Sequence, residues 1–106
     1  MNFDPNDYVS PSESIILSET VNIRLPNAAT FEKHILTLTN KKIIAVSDNQ
    51  FYIIPLNKIS AITRYYAQSF IHSAGGSHNG QAMAIDMVDN PSVHCKIVQE
   101  IAKRIG

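Results

Sequence analysis

Apolar residues recur at every second position along most of the chain, which is the period of a β-strand. The alternation is clearest in the segment 15–25, where Val21, Ile23 and Leu25 share one face and polar residues occupy the other. Residues that favour extended backbone dominate from position 14 to position 87. Asparagine, aspartate, glycine and proline separate the alternating segments, so the pattern predicts several short antiparallel strands.

Five further segments are predicted to be strands. They are 34–39, 43–46, 51–56, 59–71 and 82–88. In the first of these, Leu36 and Leu38 are expected to point inward, and Thr37 and Thr39 outward. The intervening polar residues at 40–42 and 47–49 predict tight turns, because asparagine and aspartate readily adopt turn conformations.

Two of these segments carry additional information. Pro55, near the end of its segment, is typical of an edge strand or a bulge, because proline cannot donate to a sheet ladder. The segment 59–71 is expected to form one long or kinked strand. Ile62, Tyr66 and Phe70 lie four residues apart, which also fits a helix, but the β-branched and aromatic content favours a strand.

The period changes after residue 90 and predicts a C-terminal helix. Asn90 can accept a backbone N–H as a cap, and Pro91 suits the first helical position. Apolar residues then recur at helical spacing, at Val93, Ile97, Val98, Ile101 and Ile105. His94 is expected among the surface residues of this helix. A short strand at 92–96 before a shorter helix is the alternative.

The first twelve residues are rich in proline, asparagine, aspartate and serine, which punctuate a chain more than they build regular structure. We interpret 1–12 as a loose N-terminal arm and 13–106 as one domain. Phe3 and Tyr8 are possible anchors of the arm, and a disordered tail is the alternative.

The order of strands followed by one helix predicts a mainly β (α+β) fold, a small antiparallel β-sandwich or partial barrel capped by one C-terminal α-helix. The segments 36–44 (LTLTNKKII) and 53–62 (IIPLNKISAI) resemble the core of bacterial pleckstrin-homology-like and GRAM-like domains. The resemblance covers about residues 13–105. It implies a pleckstrin-homology-like fold and a role as a binding module.

Composition argues against several classes of function. Nine lysine and arginine residues balance nine aspartate and glutamate residues, so no basic excess indicates binding to nucleic acid, and a membrane surface is an unfavourable partner. Cys95 is the single cysteine, which excludes an intrachain disulfide and a cysteine-rich zinc site. No signal peptide or membrane-spanning run is evident, which predicts a cytoplasmic protein. No metal or cofactor is expected.

The segment 72–80 is the first candidate site. It holds three of the four glycines, and a glycine-rich loop can surround an anion with backbone N–H groups. The residues proposed for a ligand or partner there are His72, Gly75, Gly76, Ser77 and His78. A plain hairpin connection is the alternative. The spacing of the two histidines matches no common zinc site.

The second candidate is an aromatic surface beside an arginine. Arg64, Tyr65 and Tyr66 are proposed to contact a partner, with Phe70 and Tyr52 in the same aromatic group, because one of two adjacent tyrosines in a strand must point outward. Ordinary packing in the core and at its rim is the alternative.

No group of residues has the spacing of an enzyme site, so no catalytic residue is assigned. Asp86 alternates with apolar neighbours and is expected to face solvent, and Asp89 is expected at the start of the helix. Cys95 is expected to be a small buried residue rather than a nucleophile.

The sequence therefore predicts a non-enzymatic interaction module that binds a protein or peptide through self-association, as a homo-oligomer. One alternative is binding of a small ligand or anion through the loop 72–80. Peripheral binding to membrane lipid is a second alternative.

Overall fold

The computed structural model describes residues 3–26, 28–65, 68–73, 84–88 and 91–105. Within them, seven strands and one α-helix are present: β1 (Ile15–Arg24), β2 (Glu32–Thr39), β3 (Lys42–Val46), β4 (Phe51–Pro55), β5 (Ile59–Tyr65), β6 (Gln68–Ser73), β7 (Ala84–Val88) and α1 (Pro91–Ile105). The strands form one antiparallel sheet in the order β4-β3-β2-β1-β7-β6-β5. This architecture confirms the predicted mainly β fold with a C-terminal helix.

The hydrophobic core lies on the face of the sheet that α1 covers, here named the inner face. The helix contributes Ile97 and Ile101, both fully buried, and packs against β1, β5 and β6. The strands contribute alternating apolar residues, as the period-2 pattern predicts. The main members are Leu17, Val21, Ile23, Leu36, Leu38, Ile43, Ala45, Ile54, Ile71, Ile85 and Met87.

The opposite, outer face of the sheet is also covered at β2 and β3. Ile44 and Val46 are buried there, although their neighbours in sequence point to the inner face. Thr37 and Thr39 point to this outer face, as predicted, but both are buried there. Partners from β1 and the N-terminal segment explain the burial. The Ser18 and Thr37 hydroxyls lie 2.9 Å apart, and the Thr39 hydroxyl donates to Glu13 Oε2 at 2.6 Å.

The N-terminal segment continues this cover with two aromatic anchors. A 3₁₀-helix spans Pro5–Tyr8, and the carboxylate of Asp4 caps it by accepting the N–H of Asn6. The rings of Phe3 and Tyr8 pack on Phe51, with centroid separations of 5.2 and 4.9 Å. Both residues that were expected to anchor the arm therefore contact the first residue of β4.

The segment 59–71 is not one long or kinked strand, and that prediction is wrong. It forms β5 and most of β6, which pair as an antiparallel hairpin with Tyr65 opposite Gln68. The connecting residues, 66 and 67, lie outside the described residues. No glycine, asparagine, aspartate or proline marks the reversal, so its sequence carries no turn signal.

The C-terminal helix begins at Pro91 as predicted, which excludes the alternative of a strand at 92–96. His94 was expected on its surface but is fully buried, which corrects that prediction. Its Nδ1 lies 3.0 Å from the hydroxyl oxygen of Ser69 in β6, so a hydrogen bond makes the burial tolerable. Cys95, expected to be buried, is half-buried.

Candidate functional site

One edge of the sheet, β5, is the most accessible strand in the described part of the chain. β6 is its one strand neighbour among the described residues. Ile59 is buried and Ile62 half-buried, whereas the other five residues are exposed, on both faces of the sheet. A strand at the edge of a sheet presents a row of backbone groups that can pair with another strand. β5 is therefore a candidate surface for recognising extended polypeptide.

The other edge, β4, is protected. Pro55 ends this strand, and proline interrupts the pattern of backbone donors that an added strand would need. Phe51, at its other end, packs against the rings of Phe3 and Tyr8 and is 47% exposed. The difference between the edges is in the sequence itself, because β5 contains no proline.

Side chains on the outer face of β5 and β6 form a defined group, here named the β5–β6 patch: Thr63, Tyr65, Phe70 and His72. Ile71 points to the core, so its neighbours Phe70 and His72 point outward. Thr63 is directly opposite Phe70 in the register. The Thr63 hydroxyl oxygen lies 3.3 Å from His72 Nε2, and the Phe70 and His72 rings stack at 6.2 Å.

Tyr65 is the most exposed large residue of this patch, at 66%. It has an apolar ring and a hydroxyl, a combination common at protein interfaces. Sequence reasoning identified Tyr65 but did not connect it to Thr63 or His72. Only the hairpin register brings these positions together, and the strand ending at Tyr65 had been expected to continue.

An ion pair borders the patch on the next strands. The Arg24 guanidinium of β1 donates to Asp86 Oδ2 of β7, with Nε 3.0 Å away, and stacks 5.2 Å from the Phe31 ring centroid. Asp86 is 6% exposed, so the prediction that it faces solvent is wrong. Its side chain does point to the outer face, but Arg24, directly opposite it in the register, covers it.

The second predicted site is only partly assembled. Arg64 is opposite Ser69, whose hydroxyl contacts His94 of α1, so Arg64 and Tyr65 lie on opposite faces of the sheet. Tyr66 lies outside the described residues. Tyr52 packs against the core from β4, and burial raises its pKa. Of the expected aromatic group, Tyr65 and Phe70 therefore share the outer face in the β5–β6 patch, whereas Tyr52 lies on the inner face in β4.

The first predicted site falls mostly outside the described residues. Gly75, Gly76, Ser77 and His78 are among the residues that the structure does not describe. His72 is described, and it lies in β6 rather than in a loop. Its half-buried ring contacts Thr63 and Phe70, so it belongs to the β5–β6 patch.

The described ranges contain neither a cluster of metal-binding side chains nor a membrane-spanning helix. No three histidine, cysteine, aspartate or glutamate side chains there are close enough together to hold a metal ion. None of the helices there combines the length and apolar character needed to cross a bilayer.

Comparison with known proteins identifies no relative, since neither a protein-family model nor a curated protein sequence matches the chain.

Proposed function

We propose that this protein is a non-enzymatic interaction module that self-associates, with β5 pairing to β5 of a second copy. The observation that supports this most strongly is the contrast between the two sheet edges. β4 ends in a proline and packs against the rings of Phe3 and Tyr8, whereas among the described residues β5 has neither protection and five of its seven residues are exposed. Natural proteins usually protect a sheet edge that has no strand to bind.

A two-fold axis at Thr63 gives the best register for this pairing. The register between β5 and β6 shifts between Ile59 and Ala61, so the regular stretch of β5 runs from Ala61 to Tyr65. A two-fold axis centred on Thr63 pairs all five of these residues with the same stretch of the second copy. It places Ala61 opposite Tyr65 of the second copy, and Ile62 opposite Arg64.

Charge favours the same register. Arg64 is the one charged residue in the regular stretch of β5, and it meets an isoleucine rather than a second arginine. Like charges directly opposite each other destabilise a pair of strands, and this arrangement avoids them. The net charge of zero adds no long-range repulsion between two copies.

Pairing at β5 would also extend the β5–β6 patch across the two-fold axis. Tyr65 and Thr63 of each copy would then lie on one continuous outer face. Tyrosine opposite a small side chain can pack over the junction, as cross-strand pairs do within a single sheet.

We further propose that the chain is a pleckstrin-homology-like domain and acts in the cytoplasm. The run of antiparallel strands followed by one C-terminal helix supports the first proposal. The single cysteine, which is typical of a reducing compartment, supports the second.

Size-exclusion chromatography with light scattering tests self-association. Five paired residues form a small contact, so we expect a dissociation constant between about 1 μM and about 1 mM. The measured mass should rise from 11.8 kDa towards twice that value as the loading concentration rises through this range. A mass that stays at one chain up to about 1 mM would contradict the proposal.

A further inference from the structure

A second surface, at the opposite end of β5 from Tyr65, has the form of a small-molecule site. It is a cavity of about 520 Å³ bounded by the β2–β3 turn, a 3₁₀ turn at Leu56–Lys58 and the last turn of α1. Small-molecule sites usually have volumes of ~300–1,000 Å³. The lining residues are Asn40, Lys41, Pro55, Leu56, Asn57, Ile59, Arg104 and Ile105.

The lining divides into an apolar part and a cationic part. The half-buried Ile105 and the small accessible parts of Leu56 and Ile59, each 7% exposed, supply aliphatic surface, and Lys41 and Arg104 supply positive charge. No aspartate or glutamate is among the described lining residues. A cavity with these two parts is complementary to a molecule that has an aliphatic chain and an anionic head.

Lys41 is the cation with the more available charge. Its Nζ donates to the Ser12 hydroxyl at 3.1 Å, and it forms no ion pair with a carboxylate in the described part of the chain. The adjacent Lys42 differs, because its Nζ lies 2.8 Å from Glu13 Oε1. The two lysines of the turn therefore have separate roles, with Lys42 holding the N-terminal segment.

Arg104 is held in place rather than mobile. Its Nη1 donates to the Glu100 carbonyl oxygen at 2.7 Å and to Glu100 Oε1 at 3.0 Å. A guanidinium has five N–H donors, so others remain for a ligand. The side chain is thus oriented before a ligand arrives, which lowers the entropic cost of binding.

The other parts of the rim are also fixed. Asn40 Oδ1 accepts the N–H of Ser14 at 2.9 Å, which leaves its amide N–H groups as donors. The N–H of Leu56 donates to the Lys41 carbonyl oxygen at 2.9 Å, so the turn and the 3₁₀ segment are joined at the rim of the cavity.

We propose that this cavity binds a monomeric aliphatic carboxylate. The carboxylate accepts hydrogen bonds from Lys41 and Arg104, and the alkyl chain lies against Leu56, Ile59 and Ile105. This activity is independent of self-association through β5, because none of the lining residues belongs to the regular stretch Ala61–Tyr65.

Titration with decanoate below its micelle concentration, followed by calorimetry and amide NMR, tests the proposal. We expect saturable binding that shifts the amide signals of Asn40, Leu56 and Ile105. Octanoate should bind more weakly, by up to about fourfold for each methylene removed. Decyltrimethylammonium, which has the same chain and the opposite charge, should not compete. Equal binding of both amphiphiles, or no saturable binding of decanoate, would overturn the proposal.

Matched variants locate the site. Lys41→Gln and Arg104→Gln should each weaken decanoate binding about tenfold, the effect of losing one hydrogen bond to a charged group. Lys103→Gln is the control, because Lys103 also contacts Glu100 but does not line the cavity. Retained affinity in both cavity variants, or an equal loss in the control, would refute the assignment.

A final comparison separates a dissolved ligand from a membrane surface. Vesicles of neutral lipid with one fifth anionic lipid should not pull down the chain under conditions in which decanoate binds. Co-sedimentation with the vesicles, together with no binding of monomeric decanoate, would contradict the proposal and identify a lipid headgroup as the source of the anion.

Discussion

Arg24 of β1 donates to Asp86 of β7 from both Nε and Nη2, at the register position where the two residues are directly opposite each other. This contact occupies the junction of the two halves of the sheet. β1 pairs with β2 over most of its length and with β7 over its last residues. The pair therefore joins the half that carries the N-terminal segment to the half that carries the β5–β6 patch.

Replacement of Asp86 by alanine should destabilise the fold, because it removes the partner of the Arg24 guanidinium and leaves that guanidinium against the sheet. We expect a loss of about 1–3 kcal/mol in the free energy of unfolding, less than for a wholly buried pair because the Arg24 side chain is 43% exposed. Urea unfolding of the variant and the wild type measures this loss. The control is Glu19→Gln, which breaks the exposed pair with Lys96 and should cost less than about 1 kcal/mol.

The Glu13 carboxylate should make stability depend on pH in the acid range. Burial raises its pKa, but hydrogen bonds from Lys42, Thr39 and Ser10 outweigh that effect and lower the pKa from 4.5 to about 2. A depressed pKa stabilises the folded state above the unfolded value. That contribution is present above about pH 5 and is lost as the pH falls towards 2.

The variant Glu13→Gln tests this directly. It should be about 1–3 kcal/mol less stable than the wild type near pH 7, because a buried charged hydrogen-bond acceptor is lost. The difference between the two proteins should shrink as the pH falls from 5 to 2, when wild-type Glu13 also becomes neutral. A difference in unfolding free energy that stays constant over this range would contradict the assigned role of Glu13.

Phe51 should hold the N-terminal segment on the outer face of the sheet. Phe51→Ala removes the ring that both Phe3 and Tyr8 contact, so cleavage by chymotrypsin after Phe3 or Tyr8 should become several times faster. Phe31→Ala, which alters an exposed ring beside Arg24, is the control and should leave that rate unchanged. Equal cleavage rates in Phe51→Ala and the wild type would show that the anchor lies elsewhere.

Elements whose structure depends on the pattern of neighbouring apolar and polar residues could be predicted from the sequence. Val21 and Ile23 are buried as their alternation predicts, and the helix begins at Pro91. The reversal after Tyr65 could not be predicted, because no turn residue marks it and cross-strand pairing with Gln68 determines it. That omission also hid the β5–β6 patch.

Buried polar residues were the other source of error. The strand alternation placed Thr39 and Asp86 on the outward side of their strands, and the helical period placed His94 on the helix surface, yet all three are buried. Each has a hydrogen-bond partner 25 or more positions away in the sequence, which lowers the cost of burial: Glu13, Arg24 and Ser69 respectively. Period and composition carry no information about such distant pairs, so only the fold could reveal them.

The edge strand proposed to pair with a second copy could be anticipated from the sequence only in general terms. Pro55 identified one edge strand from sequence. The exposure of β5 depends on its position last in the sheet order, which follows from the pairing of β7 with β1.

The central claim is that β5 pairs with β5 of a second copy about Thr63, and a charge exchange at this position tests it most directly. Thr63→Glu places two glutamates opposite each other across the two-fold axis, and Thr63→Lys places two lysines there. Thr63→Val, which keeps a β-branched side chain without charge, is the control and should associate like the wild type.

Light scattering should show that each charged variant alone stays close to the monomer mass of 11.8 kDa at concentrations where the wild type dimerises. An equimolar mixture of the two charged variants should recover dimers, because glutamate then faces lysine. Pairing through β5 in this register would be contradicted if both charged variants dimerise as strongly as the wild type. It would also be contradicted if their mixture stays monomeric while Thr63→Val dimerises.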